Sequence, residues 1–507
     1  NLFAAAGGYG TFTGPTTVTM NAALGGFNAI DVWSNDIGGP GGLTLLGSGT
    51  LVLAGNNTFT GGTTVGCATG IGCATLALSG TMTGNLTVLP GATFLTAGGY
   101  AVAPGATLLN AGTVQSINAP LVNQGTLINN GTLSANVAST GFVGGAGTIA
   151  GNLANAGTVG PGNSIGTLTV SGTYTQAPTG TYAAEVAGNG TSDLLSVGGT
   201  ASLAGTVGLV AQPGTNYAPS TTYRILTAAG GLGGSRFAGA VSSYPFLQPS
   251  LAYDASNAYL TVQIGGFATA AATPTQAAVG AVLDANVNTA SGDFAQVLSG
   301  LATGAQGPAA AQYALQSLSG NNYAGFASTM VLGAQSFMNG FANQAGGGAP
   351  QGARIALAEA CDVACDATAT PRWGAWGGGI GGLGSIGGSA AVGAVTYNAG
   401  GFAAGLDRQV TDTLRLGVTA GYSAGTQWVS GFAGQGKTDT VTGGLYANYA
   451  QGPAYVDALA GYAYGSNQMW RPILLPGLSP RTAYGQAGVN QWYGPVTYTH
   501  LRAHETR

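Results

Sequence analysis

A short pattern, Asn-x-Gly-Thr followed by an apolar residue, recurs at Asn110 to Val114, Asn123 to Leu127, Asn129 to Leu133 and Asn155 to Val159. A second pattern, Pro-Gly-Ala-Thr, begins at Pro90 and again at Pro104. Each unit reads as a turn followed by a short strand. Asn and Gly tolerate the left-handed backbone that tight turns use. Thr then alternates with Leu or Val across the pleat, as in Gly49 to Ala54. Units this short bury no core alone, so they must stack. Stacking predicts a solenoid, a right-handed parallel β-helix with Leu51, Leu53, Leu76, Leu78, Val88, Leu168 and Val170 inside. At roughly 20 residues per rung, about 265 residues give about 13 rungs and a rod on the order of 60 Å long.

Composition narrows the class. Only 5% of the 507 residues are charged, against about 25% in ordinary soluble domains, and 93 are glycine. With 45% hydrophobic residues the chain is too apolar for disorder, and it lacks the Gly-X-Y period of collagen. A nucleic-acid partner is excluded: there is no basic footprint, since no Lys or Arg precedes Arg224 and Lys437 is the only lysine. Apolar runs are too often cut by Gly, Thr and Asn for membrane-spanning helices. Asn1 is followed by no secretory leader, which reads as a fragment or a processed form. The tail from Thr499 to Arg507 holds both histidines, lacks alternation and resembles translated sequencing-adaptor sequence.

Further regions follow. Residues 159–266 remain strand-like but gain aromatics, as an end cap on the solenoid requires. From Pro274 the period becomes helical. Val279, Val282, Leu283 and Val287 mark a first helix. Asp293 caps a second, with Phe294, Val297, Leu298 and Leu301 on one face. Pro308 opens a third, closed by Gly320. Tyr323, Phe326, Met330, Phe337 and Phe341 form an aromatic stripe in a stretch, 323–345, without any charge. A water-facing helix shows a charged face, so this one is enclosed, as a core helix or as a helix filling a pore. From Pro371 period-2 segments dominate. Leu414, Leu416, Val418, Ala420 and Tyr422 alternate with Arg415, Gly417, Thr419, Gly421 and Ser423. Similar rows place Asp407 and Asp457 on the small, polar face. The alternation fits a transmembrane β-barrel with Asp407, Arg415 and Asp457 in its lumen, and equally a soluble β-sandwich.

The order of these regions resembles the autotransporters, the type V secreted proteins of Gram-negative bacteria. Gly49 to Thr64 is similar to the passenger-associated repeat of that family. Pro161 to Leu168, through Tyr259 to Val262, is similar to the C-terminal β-helix of pertactin-like passengers. Arg372 to Trp376, Gly400 to Arg408 and Leu414 to Tyr422 resemble the opening strands of the translocator barrel, and Gly444 to Tyr449 and Tyr455 to Tyr462 continue it. The resemblance implies a repetitive β-helix passenger over 1–158, an autochaperone-like cap over 159–266 and a helical linker over 267–370. A partial barrel over 371–491 and a non-native tail over 492–507 follow. It also implies a 12-stranded barrel, of which about five strands are recognisable. A barrel closes only with all its strands, so the chain as given is not expected to insert as a working translocator.

Catalytic chemistry is not evident. Gly162 to Gly166 matches Gly-x-Ser-x-Gly, but the only histidines are His500 and His504, so the segment reads as a solenoid turn. Gly379 to Gly384 matches Gly-x-Gly-x-x-Gly without a βαβ context. Cys67 with Cys73 and Cys361 with Cys365 are spaced for local disulfides rather than zinc. Asp31, Asp36, Asp362 and Asp366 are too sparse for a calcium loop. No enzyme activity, cofactor or metal is expected. The expectation is an exporter of its own adhesin-like passenger to the cell surface. Its partners would be outer-membrane lipid, the outer-membrane assembly machinery and a surface or host ligand. An exported enzyme with its catalytic domain upstream, and a soluble structural solenoid, are the alternatives.

Overall fold

The computed structural model describes residues 9–98, 100–346, 354–357, 372–388, 393–430 and 434–500. The chain divides into two compact units, residues 1–267 with 283–311, and residues 268–282 with 312–507.

The first unit is a parallel β-helix. One sheet orders twelve strands and begins with ten parallel ones, from Ile30–Trp33 to Ser220–Ala228. A second orders eleven, from Thr16–Met20 to Gly239–Ser242, and a third orders six, from Ala101–Val102 to Ala201–Ser202. Thr93 pairs with Thr113, Thr113 with Thr132 and Thr132 with Thr148, so these rungs advance by 20, 19 and 16 residues. Later rungs lengthen: Thr167 pairs with Leu194 and Leu195 with Leu226, steps of 27 and 31. The eleven strands of the second sheet, all parallel, therefore replace the expected 13 rungs and span about 48 Å. Leu51, Leu53, Leu76, Leu78, Val88, Leu168 and Val170 are all buried in the core.

The repeated motif works differently from the turn expected of it. No described non-glycine residue has positive φ, and the motif glycines Gly112, Gly125, Gly131 and Gly157 do not either. Asn110, Asn123, Asn129 and Asn155 point inward and are buried. Asn110 Nδ2 donates to Asn129 Oδ1 of the next rung (2.7 Å) and to Thr132 O (3.0 Å). Asn123 Nδ2 donates to Ser139 Oγ (2.9 Å), and Asn155 Nδ2 to Gln176 Oε1 (2.9 Å). Buried amides need partners, and stacking supplies them from the neighbouring rung. The glycine is required by close approach. A Cβ on Gly131 would lie 2.1 Å from Gly112 O, and one on Gly157 2.1 Å from Gly141 O. The true turn glycines are those of Pro-Gly-Ala-Thr, Gly91 and Gly105, at φ +82° and +81°.

The solenoid ends in antiparallel pairing. Ser220–Ala228 pairs with Asn257–Ile264, which pairs with Leu247–Tyr253. Aromatics fill this end: Tyr174, Tyr182, Tyr223, Phe246 and Phe267 are fully buried. Each tyrosine hydroxyl finds an acceptor, including Tyr182 Oη on Ile225 O (2.5 Å) and Tyr223 Oη on Ala187 O (2.8 Å).

Four helices follow, α1 (Pro274–Asn286), α2 (Gly292–Gly304), α3 (Gly307–Leu318) and α4 (Gly325–Gln344). Ser291, not Asp293, occupies the N-cap of α2; Asp293 lies in its first turn, where a carboxylate favours the helix dipole. Val282 and Phe294, expected in apolar stripes, are exposed. No described helix is long and apolar enough to cross a membrane, which leaves β-barrel spanning untouched.

The second unit carries an antiparallel sheet. Its strands are β1 (Arg354–Leu357), β2 (Trp373–Ile386), β3 (Val395–Gln409), β4 (Leu414–Val429), β5 (Gln435–Gln451), β6 (Ala454–Ile473), β7 (Arg481–Tyr493) and β8 (Val496–His500). They pair in chain order, with β7 and β8 both on β6. Eight strands thus replace the five recognised. The short β1 lies before the expected start of the barrel at residue 371. The structure continues through Trp492 and Tyr493, and β8 pairs Val496–His500 with Ala454–Ala458.

Candidate functional site

The sheet has two chemically distinct faces. Phe402, Leu406, Leu416, Val418, Val441, Leu445 and Tyr464 are exposed on one. The other presents glycine, alanine and polar residues, with Ala403, Asp407, Thr419, Asn448 and Asp457 buried. Leaving long apolar side chains uncovered on one face is what a lipid solvent allows.

Helix α4 packs against the polar face. Phe326, Met330, Phe337 and Phe341 are its buried stripe, joined by Ala334. Tyr323 is not in the helix; it sits in the preceding 3₁₀ turn, Asn321–Ala324, and is 37% exposed. Glycines in the strands make room for the stripe. A Cβ on Gly436 would lie 2.9 Å from Phe326 Cε1, on Gly465 2.7 Å from Met330 Cε, and on Gly421 2.8 Å from Phe337 Cε2. At the far end Phe337, Phe341 and Ala345 join Trp376, Ala403, Tyr446 and Leu459 in one cluster. The Phe341 ring lies 5.0 Å from Tyr446.

Polar contacts fix the start of α4 and tie together the strands around its end. Gln427 of β4 closes its first turn: the amide nitrogen donates to Gly325 O (2.9 Å) and Thr329 Oγ1 (3.0 Å), and the oxygen accepts from Phe326 N (3.2 Å). Near the last turn, Trp376 Nε1 donates to Tyr446 Oη (2.9 Å), which donates to Asp407 Oδ2 (2.8 Å). Arg415 Nε stands 3.7 Å from Asp407 Oδ1. Asn448 Nδ2 donates to Asp457 Oδ1 (2.7 Å). The inward carboxylates are thus tied into hydrogen-bonded networks, as burial of charge requires.

Residues 375–496 match the family model of the autotransporter β-domain. The chain carries an autotransporter β-domain. That match supports a type V secretion autotransporter, with a long parallel-strand region preceding the barrel-like sheet. The β-domain places it in the outer membrane of a Gram-negative bacterium with the passenger on the cell surface. No curated protein matches the chain.

Within the β-domain one charge escaped the sequence reading. Arg471 of β6 is buried, and its Nη1 donates to Ser317 O (2.6 Å) and Ser319 O (2.5 Å) at the end of α3. A cation on the terminal carbonyls of a helix is a favourable C-cap. The alternation of β6 was readable, but nothing local to Arg471 signals a partner 152 residues away. Between α4 and β2 to β5 lies a cavity of about 70 Å³, lined mainly by Thr, Ser, Asn and Gly.

Cys67 and Cys73 are joined by a disulfide in an inserted hairpin of the passenger. Cys361 and Cys365 lie outside the described residues. Ser164 sits in a turn latched by Asp193, whose carboxylate accepts from Gly166 N (3.0 Å) and Glu185 N (3.0 Å). Burial pushes the Asp193 carboxyl up to about 7, against the opposing pull of these two amides. Gly379 to Gly384 lies inside strand β2 and forms no phosphate loop. Asp31 accepts from Trp33 Nε1 (2.9 Å) and Asp36 from Asn56 N (2.6 Å). Among the described residues no three metal-ligating side chains cluster.

Proposed function

We propose that the β-domain carries its own passenger outward, that α4 occupies the path of transit afterwards, and that the passenger is a non-enzymatic adhesive surface. The orientation of α4 carries the first part. Connections 410–413 and 452–453 are short, whereas 387–394 and 474–480 at the opposite end are longer. Outer-membrane barrels keep short turns in the periplasm and longer loops outside. Phe326, at the start of α4, meets Gln427 and Gly436 at the long-loop end, and Phe341 meets Trp376 and Tyr446 at the short-turn end. The chain preceding α4 is therefore attached on the outer side.

Transport needs no nucleotide on this reading. The aromatic cap of the passenger follows the repeats in sequence and lies closest to the β-domain along the chain, so it emerges early and templates the next rung. Each added rung buries apolar area at about 25 cal/mol per Å² and biases motion outward. Lipid and the assembly machinery of the outer membrane are the partners of the β-domain.

Adhesion is supported by the passenger's outer face. A hydroxyl column runs from Thr50 through Thr75, Thr93, Thr113, Thr132 and Thr148 to Thr169, one side chain per rung at about 4.8 Å. A neutral, regular polar face suits many weak contacts with a surface or host ligand, which add by multivalency. Intact cells expressing the full protein should bind immobilised glycans or host cells and lose the passenger to external protease. Replacing Thr93, Thr113 and Thr132 by Val should lower binding while surface exposure persists. Unchanged binding would remove the adhesive reading and leave export standing.

A further inference from the structure

We propose that the lipid-facing side of the β-domain holds one anionic glycerophospholipid of the periplasmic leaflet, its phosphate on Arg408 and an acyl chain in the groove beside it. The cross-strand register builds the site. Trp373 pairs with Arg408, Arg408 with Leu416, Leu416 with Ala447, Ala447 with Ala458, and Ala458 with Val496. This row crosses the outward face near the short-turn end. Its middle is shallow, because Ala447, Ala458 and Ala460 supply only methyl groups. Leu416, Leu445 and Val496 rise on either side. The result is an apolar groove of about 870 Å³, within the size range of small-ligand sites.

Arg408 lines the same groove, and its guanidinium carbon lies 5.4 Å over the Trp373 ring. Stacking on an indole holds the cation in place while leaving its donors free for a phosphate. Among the described residues no carboxylate pairs with Arg408. Asp407 and Asp457 face the opposite side of the sheet, and Asp412 lies in the connection 410–413 beyond the strand end. A lipid with net negative charge satisfies this cation; a zwitterionic one brings its own ammonium to the site. An Arg with an aromatic partner at a strand end also sits where side chains reach for headgroups.

The proposal rests on the membrane orientation assigned above. The complete protein, extracted from outer membranes in mild detergent, is examined by native mass spectrometry for bound phospholipid. Wild type is expected to retain one phosphatidylglycerol in preference to phosphatidylethanolamine. Arg408→Gln should reduce phosphatidylglycerol occupancy at least fivefold. Ala447→Leu with Ala458→Leu should displace both lipids, and Ala404→Leu, outside the groove on the same face, should displace neither. Heat-modifiable electrophoretic migration reports whether each variant still forms its barrel. Barrels that migrate normally but bind the two lipids alike, or keep phosphatidylglycerol after Arg408→Gln, refute the site alone. Loss of heat-modifiable migration in the wild type refutes the membrane reading and the site with it.

Discussion

Replacing Gly131 by alanine isolates what the repeated motif does. The residue has no positive φ, so alanine adds no backbone strain there. Its Cβ, however, would stand 2.1 Å from Gly112 O and 2.9 Å from Gly112 C, and both are backbone atoms of the neighbouring rung. Only separation of the rungs by about 1 Å relieves this overlap, since non-bonded atoms pack at about 3.5 Å. The contacts that stretch are Gly131 N to Asn110 O (3.0 Å), Thr132 N to Gly112 O (2.9 Å) and Asn110 Nδ2 to Asn129 Oδ1 (2.7 Å). At about 1 kcal/mol each, the loss is about 3 kcal/mol at one interface. Gly105→Ala is the matched control: it sits in open space at φ +81°, so it adds strain of about 1–2 kcal/mol without a clash. In a solenoid an interface loss is local, so protease nicking near residue 131 should report it along with the denaturation midpoint. If Gly131→Ala is no more destabilising than Gly105→Ala, rung-to-rung approach is not why the motif carries glycine.

Two further outcomes are expected. Gly421→Leu removes the seat of Phe337, because even a Cβ there lies 2.8 Å from its ring; planar-bilayer conductance should rise, whereas Ala420→Leu on the outer face should leave it unchanged. Asp193 titrates near 7 when folded, above its ordinary carboxylate value, so the folded passenger binds a proton that the unfolded chain has already released. Its contribution to stability is present at low pH and is lost as pH rises through about 7. Passenger stability should therefore increase by about 2–3 kcal/mol from about pH 8 to about pH 5, and Asp193→Asn should flatten that slope in denaturation curves.

The periodicities that were legible in the sequence are those set by a single strand or helix. Leu416 and Val418 face outward and Thr419 inward because alternation is a local property of the pleat. Phe326, Met330, Phe337 and Phe341 share a helix face for an equally local reason. What sequence reading missed depends on a partner far along the chain. Asn110 reads as a turn former in isolation, and only the arrival of Asn129 on the next rung makes it an interior ladder. Arg471 reads as one more strand residue until the end of α3 supplies two carbonyls. The rung count failed likewise, because the longer rungs after Thr167 carry loops that no motif announces. Low charge links these cases. A chain with few ions must satisfy its interior through neutral amides and backbone groups, which bond only at short range and in fixed directions. Such a fold takes its specificity from register between neighbours. A one-residue slip would set Asn110 against apolar side chains and cost an unpaired buried amide, about 1–3 kcal/mol at each rung so displaced. The motif's strict Asn-to-Thr spacing is thus a register device, and inserting one residue between Asn129 and Thr132 should disorder the rungs on both sides while changing the composition hardly at all.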